Sequence, residues 1–390
     1  MLRSRWAAYA CAGLGIAALL VVLTSCGAAA SEPSADTRTG GSTSAGSPTE
    51  TRTGGSTSAG SPTDTRTGGS AGARSPTVSE VASGLTSPWG LVALADGSTL
   101  VSERDTRRIL HLVDGQVPTP LLTIDDARPA GEGGLLGLAA TQDQQTVFAY
   151  YTAENDNRLV SMSWDGQHLG EPAVILSGIP KGFRHNGGRL AIGPDGQLYV
   201  STGESGDAVL AQDTKSLGGK ILRITTAGKP APGNPFGNEV YSYGHRNVQG
   251  LAFDDEGRLW ASELGEQSWD ELNLITKGGN YGWPQVEGSS QNKDLINPKV
   301  VWETSAASPS GLAYWRGKLW MAALRGKQLW EIPLRGPTPG SPVGHFADKY
   351  GRLRSVTVTH DGSSLLLSSS NTDGRGDQQS GDDRLLKLTG

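Results

Sequence analysis

Cysteine is nearly absent. The 390 residues contain two, Cys11 and Cys26, and both lie in or at the end of an N-terminal apolar run. Nothing downstream can therefore form a Cys-based metal site, a disulfide framework or a thiol nucleophile, and the fold must be held by burial. A dominant charge is missing too. Lys and Arg number 34 against 39 Asp and Glu, a net charge of −5, with no basic patch or run, so nucleic acid is not an expected partner. Long helical periodicity is hard to find. What is abundant is glycine, 55 residues, scattered among short β-like runs and Asp-Gly turns, which is the pattern of an all-β array.

The N-terminus carries Arg3 and Arg5, then an apolar run from about 7 to 23. The run is short for a membrane span of ~20 residues, and with its basic start it reads as a secretory signal. It ends Leu23-Thr24-Ser25-Cys26, which resembles the bacterial lipoprotein lipobox. That motif implies removal of residues 1–25 and lipidation of Cys26, giving an extracytoplasmic protein held at the cell membrane by a lipid anchor alone. An ordinary signal peptide or a signal anchor with a chance Cys is the alternative. Residues 26–77 are Ser, Thr, Gly and Pro, with TRTGGSTSAGSPTE at 37–50 repeated from Thr51 and more loosely from Thr65. Such a segment cannot build a core, and the expectation is a disordered tether.

Residues 78–390 repeat one plan six times: a Gly-Leu-like strand, a tight turn, a second strand, a polar loop and a third strand. Equivalent first-strand positions are Leu91, Leu138, Leu190, Leu251, Leu312 and Val356, spaced roughly as propeller blades of ~40–50 residues. One such unit cannot bury both its faces, and radial stacking of several does. The expected fold is all-β, a six-bladed β-propeller with antiparallel four-stranded blades, closed by a strand near 78–81 that joins the last blade. A β-sandwich or β-helix is the competing fold.

Polar residues recur at one place in the repeat, the entry to the innermost strand. Glu132 precedes the strand of unit two, His185 and Arg189 that of unit three, His245, Arg246 and Asn247 that of unit four, and Arg352 and Arg354 that of unit six. In a propeller these entries converge on one end of the channel. Several Arg there suit an anionic ligand, because guanidinium forks match carboxylates. A His is a candidate general base, and an Arg beside an Asn can stabilise negative charge developing on a carbonyl oxygen. Glu263, Gly265, Glu266, Asp270, Glu271 and the Gly-rich run 278–283 supply carboxylates and carbonyls of the kind Ca²⁺ prefers, although acidic loops are also commonly just solvated. The acidic run NTDGRGDQQSGDD at 371–383 is read as a mobile loop rather than a metal site, and Trp89, Trp260, Trp320 and Trp330 as core.

GLTSPWGL, GEGGLLGLA, RHNGGRLAIGPDGQLYVSTGESGD, GGKILRI, GHRNVQGLAF, DELNLITKGGNYGWPQV and GRLRSV together resemble the soluble pyrroloquinoline quinone (PQQ)-dependent sugar dehydrogenases, the soluble glucose and aldose sugar dehydrogenases, over about 85–388. The resemblance implies His185 as catalytic base, Arg246 beside the quinone oxygen at C5 and Asn247 as a neighbouring PQQ contact. It implies Arg352 and Arg354 on PQQ carboxylates, and Arg325 where the glucose enzymes carry a cofactor-facing Lys. Gly265 and Glu266 match positions whose carbonyls hold the PQQ-bound Ca²⁺. Glu271 and Tyr281 match ligands of a structural Ca²⁺, and Glu204 lies where an Asp contacts sugar. Glu132 stands where the family has a PQQ-contacting Gln, and a carboxylate there repels an anionic cofactor unless protonated or paired with an Arg. The long insertion of the glucose enzymes between blades four and five is missing, which points to the more open, typically monomeric aldose-type relatives.

The expected function is PQQ- and Ca²⁺-dependent oxidation of the C1 hydroxyl of an aldose to a lactone, with electrons leaving to an unidentified acceptor. A cofactor-free propeller lipoprotein that binds sugar or a protein partner is the alternative, since fold does not dictate function. A metal-dependent hydrolase would need channel-facing carboxylates or His around one ion, and the entries here are dominated by Arg.

Overall fold

The computed structural model describes residues 76–390. The expected signal, lipidated Cys26 and the tether up to residue 75 lie outside the described residues; at its end the tether stops short of the expected bound, because Thr77 already belongs to a strand. Among the described residues the only helical element is a short 3-10 turn at Ala208–Ala211. Everything else is strand, turn or loop.

The chain is a six-bladed β-propeller of antiparallel blades. The innermost strands are Pro88–Ala93, Leu135–Ala140, Leu190–Ile192, Val248–Phe253, Pro309–Trp315 and Leu353–Val358. In blades one to four the chain runs outward through four consecutive strands. In blade five the outer edge is split between Thr338–Pro339 and Val343–His345, both paired with Gln328–Arg335. Blade six takes its outer strand from the other end of the chain, as expected: Thr77–Ala82 pairs with Leu385–Thr389. Closure this way ties residue 77 to residue 389, so every blade has two neighbours.

The alignment of repeats holds at the level of register. Leu91, Leu138, Leu190, Leu251, Leu312 and Val356 each face a small or aliphatic residue of the second strand: Val101, Ala149, Val200, Ala261, Met321 and Leu367. Six buried clusters result, one at each blade interface. Phe148, Tyr150, Leu190 and Val200 fill the interface of blades two and three, for example. Each such side chain contributes about 1.5–3 kcal/mol on burial, so a cluster outweighs any single polar contact.

Polar contacts instead set the blade-to-blade alignment. A hydroxyl beside the channel bonds an entry carbonyl of the next blade at five junctions. These are Ser102 to Leu136, Tyr150 to Asn186, Ser201 to Val248, Ser262 to Ser310, and Ser355 to Trp89. Five of the innermost strands carry a register shift just ahead of the equivalent Leu or Val. A bulge of this kind re-aims the entry side chains. It also brings backbones close. A Cβ on Gly137 would stand 2.0 Å from the Gly188 carbonyl oxygen of the next blade.

Gly137→Ala should therefore destabilise the propeller by about 1–3 kcal/mol, because the obstruction is backbone. Equilibrium denaturant unfolding checks this, and an unchanged midpoint would mean the blades are not in contact at that point.

Candidate active site

The entries do converge. Arg189 of blade three crosses the channel, donating from Nε to the Gln249 carbonyl at 2.7 Å and from Nη2 to Ser355 Oγ at 3.0 Å. Its guanidinium lies 4.2 Å over the Trp89 ring. One side chain thus touches blades four, six and one. Burial, with the Arg354 cation adding to it, pulls its pKa down to about 9. Arg354 is buried beside it and is likewise pulled down to about 10, chiefly by burial. It donates to Gln249 Oε1 at 2.9 Å and to Asp373 Oδ2 at 3.4 Å. Arg352 donates to the same Asp373 oxygen at 2.9 Å. Burial works against ionisation of Asp373, but Arg354 and Arg352 outweigh it and hold its pKa below the ordinary value.

Gln249, Arg354 and Asp373 of this network line a pocket together with Trp89, Arg104, Glu132, Asn186, Leu264 and Arg375. Glu132 is partnered on both oxygens. Oε2 accepts the His185 backbone N–H at 2.9 Å, and Oε1 meets Arg375 Nη1 at 2.9 Å. Burial pushes its pKa up, but those two partners prevail and it falls below the usual range. The pairing with an Arg that a carboxylate needs at this position is present.

His185 is buried, in the left-handed region at φ 57°. Its Nδ1 contacts Glu204 Oε1. An ionised carboxylate only accepts, so Nδ1 carries a proton, and in the neutral imidazole Nε2 is then the nitrogen that keeps its lone pair. Glu204 is 3% exposed. Its carboxylate is engaged with the His185 imidazole and lines neither pocket, whereas the resemblance set it against a sugar. The segment before the innermost strand and the one after the second strand of blade three meet closely here: a Cβ on Gly203 would fall 1.8 Å from the His185 carbonyl oxygen, so only Gly fits. Behind Glu204, the buried Lys220 ammonium binds the carbonyls of Leu210, Ala211 and Gly218. Burial pulls its pKa down to about 7.

Beside this lies a second, tighter pocket, lined by Arg246, Glu263, Leu264, Gly265, Glu271, Tyr281, Trp283 and Glu287. Arg246 donates to the Leu264 carbonyl at 3.3 Å and sits 5.4 Å over the Trp283 ring. Asn247 Oδ1 accepts the Gly187 N–H at 3.1 Å, joining blades three and four. Glu263 and Glu271 share Asn273 Nδ2, at 3.3 and 3.0 Å. Burial and the neighbouring Glu263 carboxylate push the Glu271 pKa well up. Tyr281 donates its hydroxyl to the Leu274 carbonyl at 2.7 Å and stacks on His245 at 4.6 Å. His245 is fully buried between Ser242 and Glu263, a structural place. The turn carrying Gly265 and Glu266 is clamped. One oxygen of Glu287 accepts four successive N–H groups, from Glu266 to Trp269, and Asp270 accepts that of Gly265 at 2.9 Å.

Several buried polar atoms around the two pockets have no hydrogen-bond partner among the described residues: Arg246 Nε, Asn247 Nδ2, Arg354 Nε, Trp283 Nε1 and Asn273 Oδ1. The four nitrogens are donors, costly to leave unsatisfied, and a ligand rich in oxygen would satisfy them; Asn273 Oδ1 is an acceptor and would take a cation or a donor instead. Among the described residues no group of three or more His, Cys, Asp and Glu is gathered to hold a metal, so a cation here would rely on carbonyls as well as carboxylates.

The sequence-derived residues therefore fall into two adjoining pockets, with Arg352 attached through Asp373 and His185 through Glu132. Arg325 and Glu266 are exposed at the margin; Arg325 follows Leu324, which lines the first pocket. Asp373 and Arg375 were missed because the acidic run 371–383 reads as a mobile loop. It is instead pinned. Asp383 is fully buried and accepts from Ser369 Oγ at 2.8 Å and Thr372 Oγ1 at 2.6 Å. The signal available was position: the run follows an inner hairpin of blade six, at the same end as its Arg-rich entry. Trp89 is more than core, since two guanidinium groups lie over its ring. Trp260 and Trp320 are core as expected, while Trp330 is only half-buried, against Trp302. Gln249, Glu287 and Lys220 carried no sequence signal.

A closed propeller with buried arginines, a carboxylate-oriented His and unsatisfied donors at one mouth is a scaffold for an oxygen-rich anionic ligand. Residues 85–378 match the Glucose / Sorbosone dehydrogenase family, and the chain belongs to it. The PQQ-bound aldose sugar dehydrogenase of Streptomyces coelicolor is 52% identical, with a TM-score of 0.77 over 81% of this chain and 98% of that one. Aldose sugar dehydrogenase YliI of Escherichia coli is 27% identical over 78% of this chain and 90% of its own length. Quinoprotein glucose dehydrogenase B of Acinetobacter calcoaceticus is 33% identical over 53% of this chain, which spans about half of that relative, 52%.

Asp373→Asn should cost about 3 kcal/mol near neutral pH, since two buried cations lose their anion. The folded pKa of Asp373 is depressed, so its contribution is complete above the ordinary carboxylate value of about 4 and is lost as pH falls through the folded value. The gap between wild type and variant should close in acid. Denaturant unfolding at a series of pH values measures it, and a constant gap would contradict the assignment.

Proposed function

We propose that this protein is a PQQ- and Ca²⁺-dependent aldose dehydrogenase that oxidises the C1 hydroxyl of an aldose to the lactone. The observation that carries the reading is the His185–Glu204 pair beside buried donors, on Arg246, Asn247 and Arg354, that have no protein partner. Membership of the family and likeness to a PQQ-bound relative support it. PQQ, when bound, supplies the two-electron quinone chemistry that no side chain here can provide.

The chain's own residues do the rest. Arg352 and Arg354 hold cofactor carboxylates, and Arg246 and Asn247 its carbonyl edge, with Glu132 and Arg325 at the margins. Gly265 and Glu266 offer carbonyls to a cofactor-bound Ca²⁺, and Glu271 and Tyr281 belong to a second, structural Ca²⁺. Asn273 Oδ1, buried without a partner beside two crowded carboxylates, suits a cation. His185 takes the C1 hydroxyl proton at Nε2, and Glu204 holds the ring and stabilises the imidazolium that forms. Arg246 stabilises negative charge developing in the pocket. The cofactor-free alternative drew its strength from an unpaired Glu132, and Glu132 is paired with Arg375.

The same reading extends to the chain outside the described residues: Cys26 carries the lipid, 26–75 serves as a spacer, and 76–390 works as an extracytoplasmic monomer passing electrons to an acceptor.

Residues 76–390 supplied with PQQ and Ca²⁺ should reduce an artificial electron-accepting dye in the presence of aldoses, and chelation should abolish this. His185→Ala should lower turnover by about 10²–10⁴-fold with PQQ binding retained. No dye reduction with any aldose, together with no PQQ binding by calorimetry, refutes the dehydrogenase reading.

A further inference from the structure

The two oxygens of Glu132 serve different ends. Oε2 accepts the N–H of His185, a residue whose φ of 57° is a left-handed conformation that non-Gly residues seldom adopt. The carbonyl of His185 is held in turn by the Ser205 N–H at 3.0 Å. The peptide units on both sides of the proposed base are thus fixed, one of them by a side chain from blade two. Oε1 points the other way and meets Arg375 of the loop 371–383.

As a stabilising contact the Glu132–Arg375 pair counts for little. Arg375 is 58% and Glu132 21% exposed, and such pairs contribute about 0–1 kcal/mol. Its place is what matters. Glu132 lines the same pocket as Arg104 and Arg354, and its charge is felt by Arg354. A free carboxylate there would weaken the field that draws in an anion. Arg375 is delivered with some care: its own N–H is bound by Asp373 Oδ1 at 2.9 Å, while the other Asp373 oxygen holds Arg352 and Arg354. One aspartate therefore aligns three arginines, and the third reaches Glu132.

We propose that Glu132 and Arg375 form a strut with its counterion: Glu132 positions the His185 backbone from across a blade boundary, and Arg375 cancels the resulting charge so that the pocket still accepts an anionic cofactor. Both are positioning residues. The counterion half rests on the PQQ reading above; the strut half does not.

Calorimetric titration of PQQ into Ca²⁺-loaded wild type, R375Q, E132Q and the R375Q/E132Q double variant tests the counterion. R375Q should bind about tenfold more weakly, as expected for one uncompensated charge at close range in a partly screened site. E132Q should bind at least as tightly as wild type, and the double variant should return to within about threefold of wild type because nothing is left to compensate. R375Q equal to wild type, or a double variant as weak as R375Q, overturns this half.

Hydrogen exchange on the cofactor-free protein tests the strut. The peptide spanning 183–187 should exchange faster in E132A and like wild type in E132Q, because Gln retains an acceptor for the His185 N–H. Equal protection in E132A overturns the strut. A wild type that binds no PQQ refutes the cofactor reading and the counterion with it, while exchange still judges the strut alone.

Discussion

A propeller blade buries both of its faces only if it has a neighbour on each side, so closure of the ring is the constraint on which the rest depends. Here closure is made by pairing Thr77–Ala82 with Leu385–Thr389. Without it blades six and one would expose the cluster that contains Leu85, Leu91, Leu366 and Leu385, and the loss of burial would exceed what the hydroxyl contacts between blades could offset. Those contacts have a different task. They set how neighbouring entries align, and the bulges beside them turn polar side chains into one mouth.

The mouth concentrates positive charge. Arg189, Arg352 and Arg354 are buried together, and Asp373 is the carboxylate that answers two of them. Desolvating a guanidinium costs several kcal/mol, and Arg189 meets this with a carbonyl, a hydroxyl and an aromatic face. The result is a rigid pocket with positive charge left over and donors unspent. Such a pocket suits an anion, and its geometry is set by folding rather than by a ligand.

Much of this was legible in the residues. The repeat period, the six equivalent strand positions and the closing strand all followed from patterning, because side-chain alternation and Asp-Gly turns are local. His185, Arg246, Asn247, Arg352 and Arg354 were legible as blade entries. Glu132 was legible as a difficulty, but its solution was not. Arg375 is 243 residues away, in a stretch whose composition resembles a solvated loop. Glu204 was placed against the sugar by the family resemblance; its contact with His185 was not legible, because two strands and a turn separate them along the chain.

The repeat, the number of blades and the residues at their entries are readable from the chain, since these depend on spacing and short-range turn chemistry. The pairings appear only once the ring is folded: His185 with Glu204, Glu132 with Arg375, and Asp373 with two arginines. Charge compensation acts over a few ångströms in space, and distance along the chain does not report it. The ring brings those ångströms about only when its last strand is in place.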